Sequence, residues 1–195
     1  MSEDTTPSAS AESKNEKIKR AGRALRGTIG ETLAADDTPK FGGDDQQLLK
    51  FHGIYQQDDR DARRARSGEE KTYSFMIRVV MPAGSVTAEQ YLALDALADQ
   101  YANGTLRITT RQGIQYHGVL KGDMRPTIAA INAALLTTLA ACGDVERNVM
   151  GCPAPDAAGP QRAVTALANF FKSPIGVNEH DLSAQFALLE EYLKR

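Results

Sequence analysis

The sequence predicts an α+β fold: a ferredoxin-like β-α-β-β-α-β half-domain with a helical N-terminal extension and a helical C-terminal tail. Three observations predict it. Residues 73–81 alternate, with Phe75, Ile77, Val79 and Met81 on one side and Ser74, Met76, Arg78 and Val80 on the other, the period of a strand. Thr87 and Gln90 have capping-box spacing and open a stretch with Tyr91, Leu94, Leu97, Ala98 and Tyr101 along one helical face. Residues 105–120 alternate again but are long for one strand, and Gly113 near the middle marks a bend or a hairpin-like break.

The remaining elements follow in chain order. Residues 1–12 are rich in Ser, Thr, Glu and Ala without an apolar period and read as a disordered tail. Residues 13–72 read as an N-terminal extension. Ser13 and Glu16 make a capping box, and Ile18, Ala21, Leu25, Ile29 and Leu33 recur at helical spacing behind it. Gly22, Gly27 and Gly30 weaken that helix by about 1 kcal/mol each relative to Ala. Residues 36–46, with Asp36-Asp37, Pro39 and Gly42-Gly43, read as a loop. Residues 47–66 show no clean period, and 67–71 read as a turn. The half-domain occupies 73–151. Pro82 and Gly84 end its first strand, and Asn103-Gly104 closes its first helix. Its second helix spans 124–141 with Ile128, Ile131, Leu135 and Leu139 inward and Gly143 as the stop, and 145–150 form a last short strand. Residues 152–195 read as a Pro-rich linker followed by helical patterns near 161–171 and 182–193.

Composition narrows the function classes. The chain has 195 residues, is 42% hydrophobic and carries a formal net charge of −2. That suits a packed domain and argues against bulk binding to nucleic acid or membranes. No long apolar run and no signal-peptide pattern occur, so a soluble cytoplasmic protein is expected. Cys142 and Cys152 are the only cysteines. They make neither a disulfide framework nor a zinc site, which takes about four ligands, and no metal-ligand set is expected in this chain.

The stretch 105–118 is the most informative. Alternation puts Arg107, Thr109, Arg111, Gly113, Gln115 and His117 on one face and Leu106, Ile108, Thr110, Gln112, Ile114 and Tyr116 on the other, inward one. The polar row presents guanidiniums, an amide and an imidazole to an outside ligand, and Arg is the side chain that forks onto carboxylates and oxyanions. A flat polyanion lying across the sheet is the natural ligand. Arg78 stands in an apolar strand, where an unpaired charge is costly. It pairs with Asp58 or Asp59, or it meets an anion. His52, between Phe51 and Gly53, reads as a hydrogen-bonded structural residue, and His180 as part of a helix-start loop. The basic side at Lys17, Lys19, Arg20, Arg23 and Arg26 lacks interleaved aromatics and reads as a solvated face. The Asp58–Asp61 run reads as an ion-paired loop.

Several separated motifs, in order, resemble one family. Lys50-Phe-His-Gly-Ile-Tyr-Gln-Gln-Asp-Asp-Arg60, Thr109-Thr-Arg-Gln-Gly-Ile-Gln-Tyr-His-Gly118 and Arg147-Asn-Val-Met150 are similar to segments of the assimilatory sulfite reductase hemoproteins, within the nitrite/sulfite reductase family. Leu25-Arg-Gly-Thr-Ile29 also fits. The resemblance covers roughly residues 14–155 and implies reduction of sulfite to sulfide at a sirohaem coupled to a [4Fe-4S] cluster. It implies that Arg107, Arg111, Gln115 and His117 hold the sirohaem carboxylates or their waters, with Asn148 in the same cofactor-binding set. It implies that Arg78 and Arg147 face the oxyanion, where their charge stabilises bound sulfite.

The family's Cys-x5-Cys and Cys-x3-Cys cluster pairs are absent from this chain, and residues 156–195 do not follow the family's continuation. The resemblance therefore implies an N-terminal piece that shares its sirohaem with a C-terminal half, ligates no cluster itself and is inactive alone. Sulfite and a flavoprotein subunit or ferredoxin are the further expected partners. The second expectation is a non-catalytic tetrapyrrole- or partner-binding module derived from that enzyme.

Overall fold

A computed structural model of the chain describes residues 12–58, 71–142, 147–152 and 167. The expectations for residues 1–11, 59–70, 143–146, the linker from 153 and the two C-terminal helical patterns lie outside the described residues, apart from the helical Leu167.

The described residues of the extension fold as three helices and a strand. Helix α1 (Lys14–Ala21) opens on the expected capping box: Ser13 Oγ accepts from Glu16 N at 3.2 Å, and Glu16 Oε2 accepts from Ser13 N at 2.8 Å. The apolar spacing predicted one helix through Leu33, but the chain breaks at Gly22. Arg23, Ala24, Leu25 and Gly27 all take positive φ, and a second helix, α2, starts at Ile29 and ends at Ala34. The break lets the backbone pass close to a helix further along the chain: a Cβ on Gly22 would lie 3.1 Å from Leu48. Helix α2 has no cap of its own. Instead the buried Asp45 carboxylate accepts from Thr28 N at 2.9 Å and Thr28 Oγ1 at 2.5 Å. Asp45 sits in the first turn of α3 (Gly43–Phe51), and strand β1 (Ile54–Asp58) follows. The aperiodic reading of 36–66 missed both elements.

Strand β2 (Tyr73–Val79) alternates as predicted, with Phe75, Ile77 and Val79 fully buried. Helix α4 (Ala88–Tyr101) begins on the Thr87–Gln90 capping box and buries Leu94, Leu97 and Ala98. Tyr91, expected on the same face, is exposed. Gly104, at φ +74, donates its N–H to Ala98 O at 2.9 Å and closes the helix. The stretch from 105 is a hairpin, with β3 (Arg107–Ile108) and β4 (Ile114–Val119) joined by a turn at 109–112. Ile108 is 79% exposed, contrary to its inward assignment, because β3 is a two-residue outer strand.

Helix α5 (Lys121–Ala133) starts and stops earlier than its apolar spacing suggested. Leu135 takes φ +58 and is 89% exposed, and Leu139 is exposed too. The chain turns there so that Thr137 can bridge Val80.

The sheet order is β1-β2-β4-β3, antiparallel throughout. Strands β2 and β3 flank β4 and are linked through α4, which is the split βαβ arrangement. The outer place beside β2, expected for residues 145–150, is held by β1. Residues 147–150 form no strand, and among the described residues the Val80–Thr137 bridge alone pairs with that edge from the C-terminal side. Helices α4 and α5 cover one face of the sheet, where Phe75, Ile77, Ile114, Tyr116, Leu94, Met124 and Ile131 form the core. The polar row of β4 points to the opposite face.

Candidate functional site

Register builds the site. Gln115 lies opposite Arg78 on β2 and opposite Arg107 on β3, so three polar side chains form one rung across three strands. The hairpin break does not disturb this, because paired residues of antiparallel strands share a face. His117 lies two residues further along β4 on the same side, next to a bulge between the Ile77–Tyr116 and Phe75–Val119 pairs that Gly118 accommodates at φ +80.

The guanidinium of Arg78 is half-buried and well supplied. With the Gln115 amide oriented to satisfy both groups, its oxygen accepts from Arg78 Nη2 at 2.6 Å and Nε at 2.9 Å. Arg78 Nη1 donates weakly to Ala141 O at 3.4 Å, and the guanidinium carbon lies 5.9 Å from the centre of the Tyr55 ring. Asp58 is not its partner. It pairs with Tyr73 at the far end of β1, while Arg78 N donates to Gly53 O at the near end. Asp59 lies outside the described residues.

His117 Nδ1 lies 3.2 Å from Gln57 Oε1, and its Nε2 lies beside the Gln115 amide at 3.3 Å. Burial, then the charges of Arg107 and Arg78, hold its pKa below 6.5. A neutral imidazole with its proton on Nδ1 satisfies both neighbours when the Gln115 NH2 faces Nε2.

A cleft of about 160 Å³ opens beside this rung and brings together Arg78, Thr109, Arg111, Arg147 and Asn148. Among the described residues Arg107, Arg111 and Arg147 form no ion pair. Asn148 is buried, and its amide is committed to the backbone: Oδ1 accepts from Met81 N at 3.0 Å, and Nδ2 donates to Arg111 O at 2.7 Å. It ties the end of β2 to the 109–112 turn. Arg107, Gln115 and His117 lie along the sheet outside this cleft, on the same open face.

The pairing of Tyr55 with Cys142 was missed from sequence, although Cys142 is free and buried, as suits a reduced structural cysteine. The Tyr55 hydroxyl hydrogen-bonds the buried Cys142 thiol. Burial and that thiol push the phenol up to about 12, against the opposing pull of Arg78 and Arg147, so it stays protonated. Its signal was the alternation of 54–58, which puts Tyr55 and Gln57 on the face of Arg78. His52 has the structural role expected of it, with Nε2 at 3.0 Å from Leu25 O. Among the described residues no three His, Cys, Asp or Glu side chains converge to hold a metal ion, and no helix is long and apolar enough to cross a membrane.

Residues 67–134 match the family model of the nitrite/sulfite reductase ferredoxin-like half domain. The chain carries that half domain. Curated relatives of this family include the sulfite reductase [NADPH] hemoprotein beta-component of Methylobacterium nodulans, 52% identical over 162 residues, 82% of this chain and 27% of that protein. The protein of the same name from Anoxybacillus flavithermus is 57% identical over 142 residues, 72% of this chain and 25% of that protein. The chain thus spans about a quarter of the length of these sulfite reductase components. In shape it resembles the Mycobacterium tuberculosis NirA protein, with a TM-score of 0.68 at 24% identity over 83% of this chain and 32% of that one. The likeness confirms the ferredoxin-like half-domain fold.

Proposed function

We propose that this chain supplies the N-terminal portion of a sirohaem-dependent sulfite reductase, binding the macrocycle's carboxylates on the open sheet face and the substrate oxyanion in the cleft. The observation that carries the reading is the Arg107–Gln115–Arg78 rung, on the face opposite α4 and α5, running into the Arg111–Arg147 cleft. The donor set fits a carboxylate-rich tetrapyrrole. Arg107 and Arg111 offer forked donors with no ion pair among the described residues, and His117 adds a donor when an approaching carboxylate favours its protonated form.

When bound, the sirohaem supplies the redox chemistry, and the protein supplies orientation and field. Arg78 is held in place by Gln115 and Ala141, so little reorganisation opposes its charge acting on an oxyanion. Arg147, which also lines the cleft, provides the second charge. The two cysteines of this chain are fewer than the four thiolates a [4Fe-4S] cluster needs, and Cys142 is buried against Tyr55. The cluster, the rest of the haem pocket and the contact with a flavoprotein or ferredoxin donor therefore belong to a C-terminal half.

The test is reconstitution with that half and a sirohaem supply. Arg111→Ala and His117→Ala should lower haem occupancy, read from the Soret band. Arg147→Ala should leave occupancy near normal and depress sulfite turnover. Full occupancy in the first two variants, or full turnover in the third, overturns the assignment.

A further inference from the structure

The stretch 147–152, which carries Arg147, has no strand or helix to hold it. Contacts with two tight turns fix it instead. Ala83 N donates to Val149 O at 2.8 Å, and Asn148 is clamped as described. The remaining contact comes from Gln112. Its Oε1 accepts from Gly151 N at 2.8 Å, and its Nε2 donates to Gly151 O at 2.8 Å. The amide meets both backbone groups of one residue, as a neighbouring strand would.

Glycine backbone packs closely around that side chain and its partner. Gln112 takes φ +58 at the end of the 109–112 turn, and its N donates to Thr109 O at 2.9 Å. Gly84, at φ +69, packs against it: a Cβ there would lie 3.0 Å from Gln112 Cβ and 3.1 Å from Cδ. At the other end a Cβ on Gly151 would lie 3.2 Å from Ala83 Cα. Arg111 directly precedes Gln112, and Arg147 lies four residues before Gly151. Both arginines therefore hang from backbone that this amide joins.

We propose that Gln112 is a positioning residue for the oxyanion cleft, setting the separation of Arg111 and Arg147 through its paired bonds to Gly151. The inference rests on reading the cleft as an oxyanion site. The chemistry is specific to an amide of this length. A Glu carboxylate would turn an acceptor toward Gly151 O, and Asn is shorter by one methylene, about 1.5 Å.

The test is calorimetric titration of the full chain with inorganic sulfate. Near neutral pH, Gln112→Glu should bind sulfate about tenfold more weakly than wild type, the loss expected from about one net hydrogen bond. Near pH 4 the substituted carboxyl, which the facing carbonyl biases toward protonation, regains a donor, and affinity should return to within about twofold of wild type at the same pH. Gln112→Asn, which adds no charge, should weaken binding at both pH values, an outcome that the charge of the introduced carboxylate alone does not explain. Unchanged affinity near neutral pH overturns the proposal.

If Gln112→Glu fails to fold, Gln112→Asn carries the test. Weaker sulfate binding with faster hydrogen exchange at the Gly151 amide supports the role, and wild-type values for either overturn it. Arg111→Ala and Arg147→Ala separate the two readings. If both arginine variants lose affinity and Gln112→Glu does not, only the positioning role falls. If neither loses affinity, the cleft reading falls and this inference with it.

Discussion

Arg78 and Gln115 face each other across adjacent antiparallel strands, and the amide oxygen accepts from both Nη2 and Nε of the guanidinium at 2.6 and 2.9 Å. Among the described residues, the half-buried cation is thereby satisfied without a carboxylate. Its positive charge stays available to an incoming anion, whereas an ion pair would have neutralised it.

Gln115→Leu should leave the Arg78 guanidinium short of acceptors. We expect a loss of about 1–3 kcal/mol, measured as a lower urea midpoint at unchanged m. Gln115→Glu should keep stability closer to wild type but weaken sulfate binding, because its carboxylate cancels the charge that Gln115 only orients.

Tyr116 is fully buried, and its hydroxyl donates to Leu94 O at 2.9 Å, joining β4 to α4. Burial raises its pKa well above 10.0, so the phenol remains a donor. Tyr116→Phe should cost about 1–2 kcal/mol in urea denaturation and leave anion binding untouched, since the hydroxyl points away from the cationic face.

Asp45 caps a helix that is not its own. Asp45→Ala should strand Thr28 N and Oγ1 and cost about 1–2 kcal/mol. The loss should register locally, as faster hydrogen exchange at the Thr28 amide and the first turn of α2.

His117 gives a pH signature. Its folded pKa lies below 6.5, so the unfolded chain binds more protons in the window just under that value. Stability then rises with pH there: the contribution is intact above about 6.5 and is lost as pH falls through the folded pKa. His117→Gln should flatten that part of the stability–pH curve. A bound carboxylate-rich macrocycle should move the His117 pKa upward, which NMR titration of the imidazole would show.

The sequence was most legible where one side-chain period decided the structure. Strand β2 and helix α4 follow their alternation and capping box, and the polar face of 105–118 survives its hairpin break because Arg107 and Gln115 are eight residues apart and pair directly. Strand β1 was hidden because Gln56, opposite the buried Phe75, takes a core-side position and accepts from Phe41 N at 2.7 Å; a polar residue there weakens the hydrophobic alternation that Ile54 begins. The overlong second helix has the opposite cause. Leu135 and Leu139 keep helical spacing, yet the chain must turn at 134–135 for Thr137 to reach Val80. The Gln112 and Asn148 clamps join residues 39 and 37 apart, and no local pattern announces pairings at that range.

Because β1 fills the outer place beside β2, the segment that matches the family model, 67–134, is not a self-sufficient unit. A clone trimmed to those limits would discard residues 54–58 and Thr137 together, baring the hydrogen-bonding rim of β2 along its length. Such a bared rim invites intermolecular strand pairing and precipitation, so any excised version of this half domain has to begin upstream of α3.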